Sequence, residues 1–212
     1  MIPQTEIDRQ AAALLDGVAD GDGLDELTAT IVGTAVRASA MALDVDGTRE
    51  WMSRALALGA TRDQLQEAVT LVSGMGVHAF FEASRTLDAL TDAAAEPLDE
   101  RRQGLWDQYV GTSNYWDTMR QEIPGFLESL LRMSPEAFEA FFVYCAVPFR
   151  SRNLTNLQKE LISVAADASP SHRYLPGMRL HIRNALKLGA GRKAIEQVLR
   201  IAAASPEHRG VA

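Results

Sequence analysis

The sequence predicts an all-α protein made of two tandem helical repeats sharing one core. Three observations carry that reading. Apolar residues recur at helical spacing along the chain, with no sustained two-residue alternation of the kind that marks half-buried strands. The stretch from Leu24 to Gly74 aligns without a gap on Leu154 to Ala204, 130 positions later. Identities fall at Leu27/Leu157, Ala35/Ala165, Ala38/Ala168, Ser39/Ser169, Gly47/Gly177, Arg49/Arg179 and through the ALxLGA run ending at Ala60/Ala190. A chain of 212 residues with 47% hydrophobic content can also bury a full core as a single compact domain.

The first element spans about 4 to 19, where Ile7, Ala11, Leu14, Leu15 and Val18 form one stripe before GVADGDG breaks it. Each repeat then has a leading helix (about 24 to 41, and 154 to 168), a bend, a helix ending in LGA, and a helix beginning near Arg62 or Arg192. Gly59 and Gly189 suit the position just past a helix end, where the left-handed conformation favours glycine. Between the repeats, EPLDERRQ near 96 to 103 is a charged surface connection, followed by helices in NYWDTMRQEIPGFLESLL and SPEAFEAFFVYCAV. Ser134, Pro135 and Glu136 make an N-cap, a first-turn proline and an acid placed against the helix dipole. The resulting division is 1–95 for the N-terminal helix and first repeat, 96–150 for connecting helices, and 151–212 for the second repeat. The aromatics Trp106, Tyr109, Tyr115, Trp116, Phe138, Phe141, Phe142 and Tyr144 are expected in a core or a subunit interface.

Charge and composition exclude several functions. A net charge of -7, from 21 basic and 28 acidic residues, offers no basic patch for nucleic acid. No apolar run approaches the roughly 20 residues that span a bilayer, and the N-terminus has no basic flank followed by an apolar stretch. A cytoplasmic protein without membrane partners is expected. Cys145 is the single cysteine, so neither an intrachain disulfide nor a thiolate metal cluster can form, and in FFVYCAVPF it is expected to be a buried packing residue.

Chemistry is sought where matched positions differ. Thr30 faces Glu160, Ala42 faces His172, Leu43 faces Arg173, Asp44 faces Tyr174, Trp51 faces His181, Arg54 faces Asn184, and Arg37 faces Asp167. The second repeat thereby gains groups that transfer protons near neutrality. The candidate catalytic set is His181, His172, Glu160 and Tyr174. His181 follows Met178 by three residues and precedes Ala185 by four, which puts it at the apolar face of a helix starting near Pro176, with Glu160 as its expected hydrogen-bond partner. Arg173, Arg179, Arg183 and Asn184 are candidates for holding a substrate carboxylate. His78 is assigned to core or interface and His208 to a frayed end. His172, His181 and Glu160 match no specific metal-ligand spacing, and neither a metal nor a cofactor is expected.

HIRNALKLGAGRKAIEQVL, with ALALGATRDQLQEAVTLVSGMGVHAFFEA in the first repeat, resembles the carboxymuconolactone decarboxylase and alkylhydroperoxidase D superfamily. The resemblance implies two tandem alkylhydroperoxidase D-like helical repeats, with the His181 region as the site. The peroxidase branch carries C-x-x-C seven and four residues before its histidine, where this chain has Tyr174 and Gly177, so thiol peroxidase chemistry of that type is excluded unless Cys145 acts on its own. The decarboxylase branch carries Arg two residues before the histidine, as Arg179 and His181 do, and typically Glu four residues before it, where Gly177 stands. The expected activity is cofactor-free decarboxylation or lactone transformation of a small carboxylated, aromatic-derived metabolite. The alternatives are a non-catalytic ligand-binding or oligomerisation module and, ranked last, alkylhydroperoxidase-type activity. Related proteins form closed oligomers, which implies a homo-oligomer, either a dimer or a trimer of pseudo-sixfold arrangement.

Overall fold

The protein is described from a computed structural model over residues 2–91, 97–113 and 115–211. The 95/96 boundary and the side chain of Tyr115 lie outside the described residues. Among the described residues, regular structure is helical throughout. The chain divides into two compact units, one comprising Met1–Met75 with Pro148–Ala212, the other Gly76–Val147.

The first unit opens with α1 (Gln4–Leu14), α2 (Glu26–Ala38), α3 (Val45–Ala57) and α4 (Arg62–Ser73). The second holds α5 (Val77–Thr91), α6 (Glu100–Tyr109), α7 (Tyr115–Glu122), α8 (Phe126–Met133) and α9 (Pro135–Cys145). After α10 (Val147–Ser151), the chain completes the first unit with α11 (Asn156–Ala168), α12 (Leu175–Lys187) and α13 (Arg192–Ala203).

Helix α1 stops short of the expected 19. Its last turn closes at Leu15, and Gly17 takes a φ of 70°, a conformation that ends a helix and that glycine adopts without strain. The buried stripe is Ile7, Ala11 and Leu15, with Leu14 and Val18 only half-buried.

Helices α2, α3 and α4 share their bounds with α11, α12 and α13 at the register of the sequence alignment. The correspondence extends to single dihedrals. Leu43 and Arg173, at matched positions, both take the left-handed conformation (φ 41° and 49°), as do Gly59 and Gly189 (96° and 97°). After each glycine, the N–H of Ala60 reaches the carbonyl of Ala55, and that of Ala190 reaches Ala185, at 2.9 Å in both cases. These bonds satisfy carbonyls that the helix ends leave open. Ser39 and Ser169 are identical because each hydroxyl donates to a carbonyl three residues back, Val36 or Ala166, at 2.7 Å. Starts are specified as closely: Asp25 caps α2, and Thr61 and Thr155 form capping boxes with Gln64 and Gln158.

The core of this unit is one cluster drawing on both segments, with Ala35 and Val36 of α2 packed among Ala165 and Ala166 of α11. Helix α11 is buried at every position from Lys159 to Ala168 and packs against α2, α4, α12 and α13. A helix covered all round should be apolar. This one carries Lys159, Glu160 and Asp167 inside, and each of those polar groups has to be compensated.

In the second unit α5 packs on α8, and α8 and α6 pack on α9. Ser134 caps α9 by accepting from the Ala137 N–H at 3.2 Å, with Pro135 in the first turn, as the sequence predicts. Phe81, Phe126, Phe138, Phe141 and Phe142 are buried in edge-on and tilted contacts, whereas Tyr144 is 45% exposed. Cys145 is half-buried rather than buried, and its surroundings still push the thiol pKa up to about 11. His78 is buried beside Phe81.

Candidate active site

The site is assembled on α11 and α12. Glu160 and Asp167 lie seven residues apart, two helical turns, so both carboxylates leave α11 on one side. On α12, His181 shares a face with Gly177 and Asn184, its neighbours at four and three residues. The His181 Nδ1 lies 2.7 Å from Glu160 Oε2, and Asn184 Nδ2 donates to the same oxygen at 3.4 Å. His181 Nε2 lies 3.9 Å from Asp167 Oδ2, an electrostatic contact too long for a hydrogen bond. Asp167 Oδ1 in turn lies 3.4 Å from His172 Nε2. The result is a line of alternating carboxylates and imidazoles, Glu160, His181, Asp167, His172, in which Asp167 is fully buried and His181 is 21% exposed.

Burial by itself pushes the His181 pKa down. The Glu160 carboxylate, through its charge and its hydrogen bond, together with the charge of Asp167, outweighs that and holds the imidazole above its usual range. The two flanking carboxylates thus favour the imidazolium over the neutral ring, relative to a histidine in water.

The loop after α11 places the other two members of the predicted set. The left-handed Arg173 turns the chain so that the Tyr174 N–H donates to the Asp167 carbonyl at 2.8 Å, and the Tyr174 ring lies 5.8 Å from that of His172. Tyr174 therefore belongs to the outer end of the line, beside His172.

Two of the candidate arginines have partners away from the imidazole. Arg173 donates to the carbonyl of Ile2, and Arg179 donates to Gln10 of α1 at 3.0 Å. Arg179 and Arg183 sit two residues either side of His181, about 200° around the helix, so α12 turns them away from the imidazole. His208 is exposed but not frayed: its N–H donates to Ser171 Oγ at 3.1 Å, and the neighbouring Arg209 N–H reaches the Ala42 carbonyl at 2.8 Å.

Asp167 is the site residue that the predicted set omits. Its signal was the Arg37/Asp167 mismatch inside the otherwise apolar SVAADAS run, a charge that only a polar partner could keep buried. Gly177 explains how it fits. A Cβ on Gly177 would lie 2.2 Å from Asp167 Oδ2, and one on the matched Gly47 would lie 2.1 Å from Asp44 Oδ2. Glycine is kept in both segments because a carboxylate leans on the helix there, supplied by α11 in one segment and by the loop before α3 in the other. Gly177→Ala is accordingly expected to cost about 1–3 kcal/mol, since a fully buried Asp167 has nowhere to swing. The lost stability would be read from the urea midpoint.

In the first segment the same places hold a different arrangement. The Arg37 guanidinium lies over the Trp51 ring at 4.1 Å, where Asp167 and His181 stand in the second. Gly33 makes room for this indole, as a Cβ there would lie 2.1 Å from Trp51 Cζ3.

Residues 135–206, covering α9 to α13, match the model of the Carboxymuconolactone decarboxylase family. A crystal structure from Burkholderia xenovorans LB400, of a candidate gamma-carboxymuconolactone decarboxylase subunit, aligns with a TM-score of 0.71 at 31% sequence identity, over 95% of this chain and 84% of that one. The chain belongs to the carboxymuconolactone decarboxylase family. No curated protein matches it. Among the described residues of this family member, no helix is long and apolar enough to cross a membrane. The family match covers the segment that carries Glu160, Asp167, His172 and His181.

Proposed function

We propose that this protein is a cofactor-free decarboxylase or lactone-transforming enzyme of a small carboxylated metabolite, with His181 as its proton-transfer group. One observation carries the reading: a mostly buried imidazole held between two carboxylates, hydrogen-bonded to Glu160 through Nδ1 and leaving Nε2 on the Asp167 side. The same arrangement is absent from the first segment, where Arg37 and Trp51 cannot pass a proton near neutral pH.

In decarboxylation the bond between the carboxylate and its carbon breaks, carbon dioxide leaves, and the electron pair moves into an adjacent unsaturated carbonyl. Nε2–H of the His181 imidazolium stabilises that developing oxyanion or delivers its proton to carbon. Glu160 fixes the ring's orientation by accepting Nδ1–H. Asp167 adds its charge to that of Glu160 in favouring the imidazolium, and His172 lies beyond it towards Tyr174. Gly177 lies where the decarboxylase pattern carries glutamate, and Asp167 brings a carboxylate to the same space from α11. A homo-oligomeric assembly accords with the description of the Burkholderia protein as a subunit.

The test is carbon dioxide release from gamma-carboxymuconolactone and a panel of small carboxylated lactones and enones. The wild type and Cys145→Ser should turn over alike, and His181→Ala should not. Turnover that survives His181→Ala overturns the reading, and peroxide consumption abolished by Cys145→Ser would replace it with thiol chemistry.

A further inference from the structure

The first unit contains a concavity, on the first segment's side, that the chemistry of His181 does not use. It is an open cavity of about 380 Å³ lined by Leu24, Ala29, Arg37, Trp51, Gln197 and Arg200, among others. That volume lies within the range of small-molecule sites, about 300–1,000 Å³.

The register of the two segments explains why the space exists. Ala29, Arg37, Trp51 and Gln197 match Lys159, Asp167, His181 and Glu67. On the second segment's side Lys159 and Glu67 form an ion pair at 2.9 Å with both side chains 1% exposed, so those positions are filled. Alanine and glutamine at the matched places leave the cavity open, and its charge is reversed, with a guanidinium where Asp167 would stand.

Arg37 is poorly compensated there. Its hydrogen bond goes to the Gly33 carbonyl at 3.1 Å, which uses one of five donors. The carboxylates that act on it, Asp44 and Glu50, do so through charge without a hydrogen bond, and Asp44 also lies 3.8 Å from Arg209. Burial lowers the Arg37 pKa despite the opposing pull of Asp44 and Glu50, the sign of a cation short of an anion. Arg200, held only loosely by Glu196 at 4.0 Å, brings a second cation to the cavity, no carboxylate is among the lining residues, and apart from Gln197 the remaining wall is apolar.

We infer that this cavity is a binding site for a small monocarboxylate with an apolar body, held by Arg37 and Arg200 and independent of the His181 centre. Arg37 supplies a planar donor pair that fits a carboxylate. Leu24, Ala29 and the exposed part of Trp51 would take the apolar end.

The experiment follows the indole N–H resonances of the intact chain while benzoate is titrated in. The chain has three tryptophans, and the Trp51 signal is assigned by its loss in Trp51→Phe. A saturable shift of that signal is expected. Arg37→Gln, and separately Ala29→Leu, which fills the cavity as Lys159 fills its counterpart, should each weaken binding at least about tenfold, a change of about 1.4 kcal/mol. Neutral benzamide should bind weaker than benzoate by a similar factor, a comparison that needs no variant and so stands even if Arg37→Gln fails to fold. His181→Ala should leave the titration unchanged, which separates this site from the proposed reaction. The inference is overturned if the Trp51 signal does not saturate, if benzamide matches benzoate, if Ala29→Leu binds as wild type does, or if His181→Ala abolishes the response.

Discussion

His181→Ala is expected to lower turnover of the accepted substrate by roughly a hundred- to ten-thousand-fold, the span that a positioned acid–base group contributes. The fold should survive with some loss of stability, because Glu160 and Asp167 lose the ring between them while Met178, Ile182 and Ala185 keep the buried stripe. Glu160→Gln gives the more diagnostic result. In the wild type Glu160 and Asp167 hold the imidazole protonated above its usual range against the opposing effect of burial. A rate that depends on the imidazolium should therefore fall only as pH rises through that raised value. Removing the Glu160 charge leaves burial opposed by Asp167 and at most a neutral hydrogen bond, so the falling limb should move to lower pH. Stability follows the same sign. Because the folded pKa is raised, the stabilisation is fully present below the ordinary histidine value of about 6.5 and disappears as pH climbs through the folded one. An NMR titration of the His181 ring in both proteins, alongside the pH–rate profiles, measures the shift. If Glu160→Gln titrates at the wild-type pH, Glu160 is not the group that tunes the imidazole.

The helical fold and the Glu160–His181 pair were legible in the sequence for different reasons. Helix ends are set by local chemistry, so Ser134, Pro135, Gly59 and Gly189 could be assigned from neighbouring residues alone. The His181 contact came from helix spacing plus the replacement of Trp51 and Thr30 at matched positions. Asp167 was harder, because its role depends on Gly177 of another helix leaving space for its carboxylate, a relation with no spacing rule. The arginines show the limit of sequence clustering. Clustering near His181 in sequence says nothing of direction, and α12 carries residues two apart to opposite sides, so Arg179 reaches α1. Lys159 gave no local sign at all. A lysine in QKELIS reads as a surface residue until α4 brings Glu67 against it.

That pair carries the largest expected effect on stability. Lys159 and Glu67 are each 1% exposed and 2.9 Å apart, with the Lys159 ammonium 5.3 Å from the Phe149 ring centre and the Asn153 N–H donating to Glu67 at 2.7 Å. Lys159→Met keeps the volume but leaves a carboxylate buried without its cation, and should cost about 3–5 kcal/mol. The double variant Lys159→Met/Glu67→Gln should regain most of this, since its amide can still accept from Asn153 and no charge is left inside. The matched Ala29 and Gln197, where Gln197 accepts from the Leu24 N–H, show the first segment using that uncharged solution. The pH dependence separates charge from packing. Burial by itself raises the Glu67 pKa, and Lys159, Ser151 and Asn153 together bring it below the usual range. The wild type therefore draws stability from Glu67 above the ordinary glutamate value of about 4.3 and loses it as pH falls through the folded one. With Lys159 gone, burial dominates and the sign turns, so the deficit of Lys159→Met should shrink on acidification as Glu67 takes up a proton. Urea midpoints for wild type, both single variants and the double variant, at neutral pH and near pH 4.5, give the coupling directly. A Lys159→Met deficit that is the same at both pH values would mean that lost packing, not the stranded charge, sets the cost.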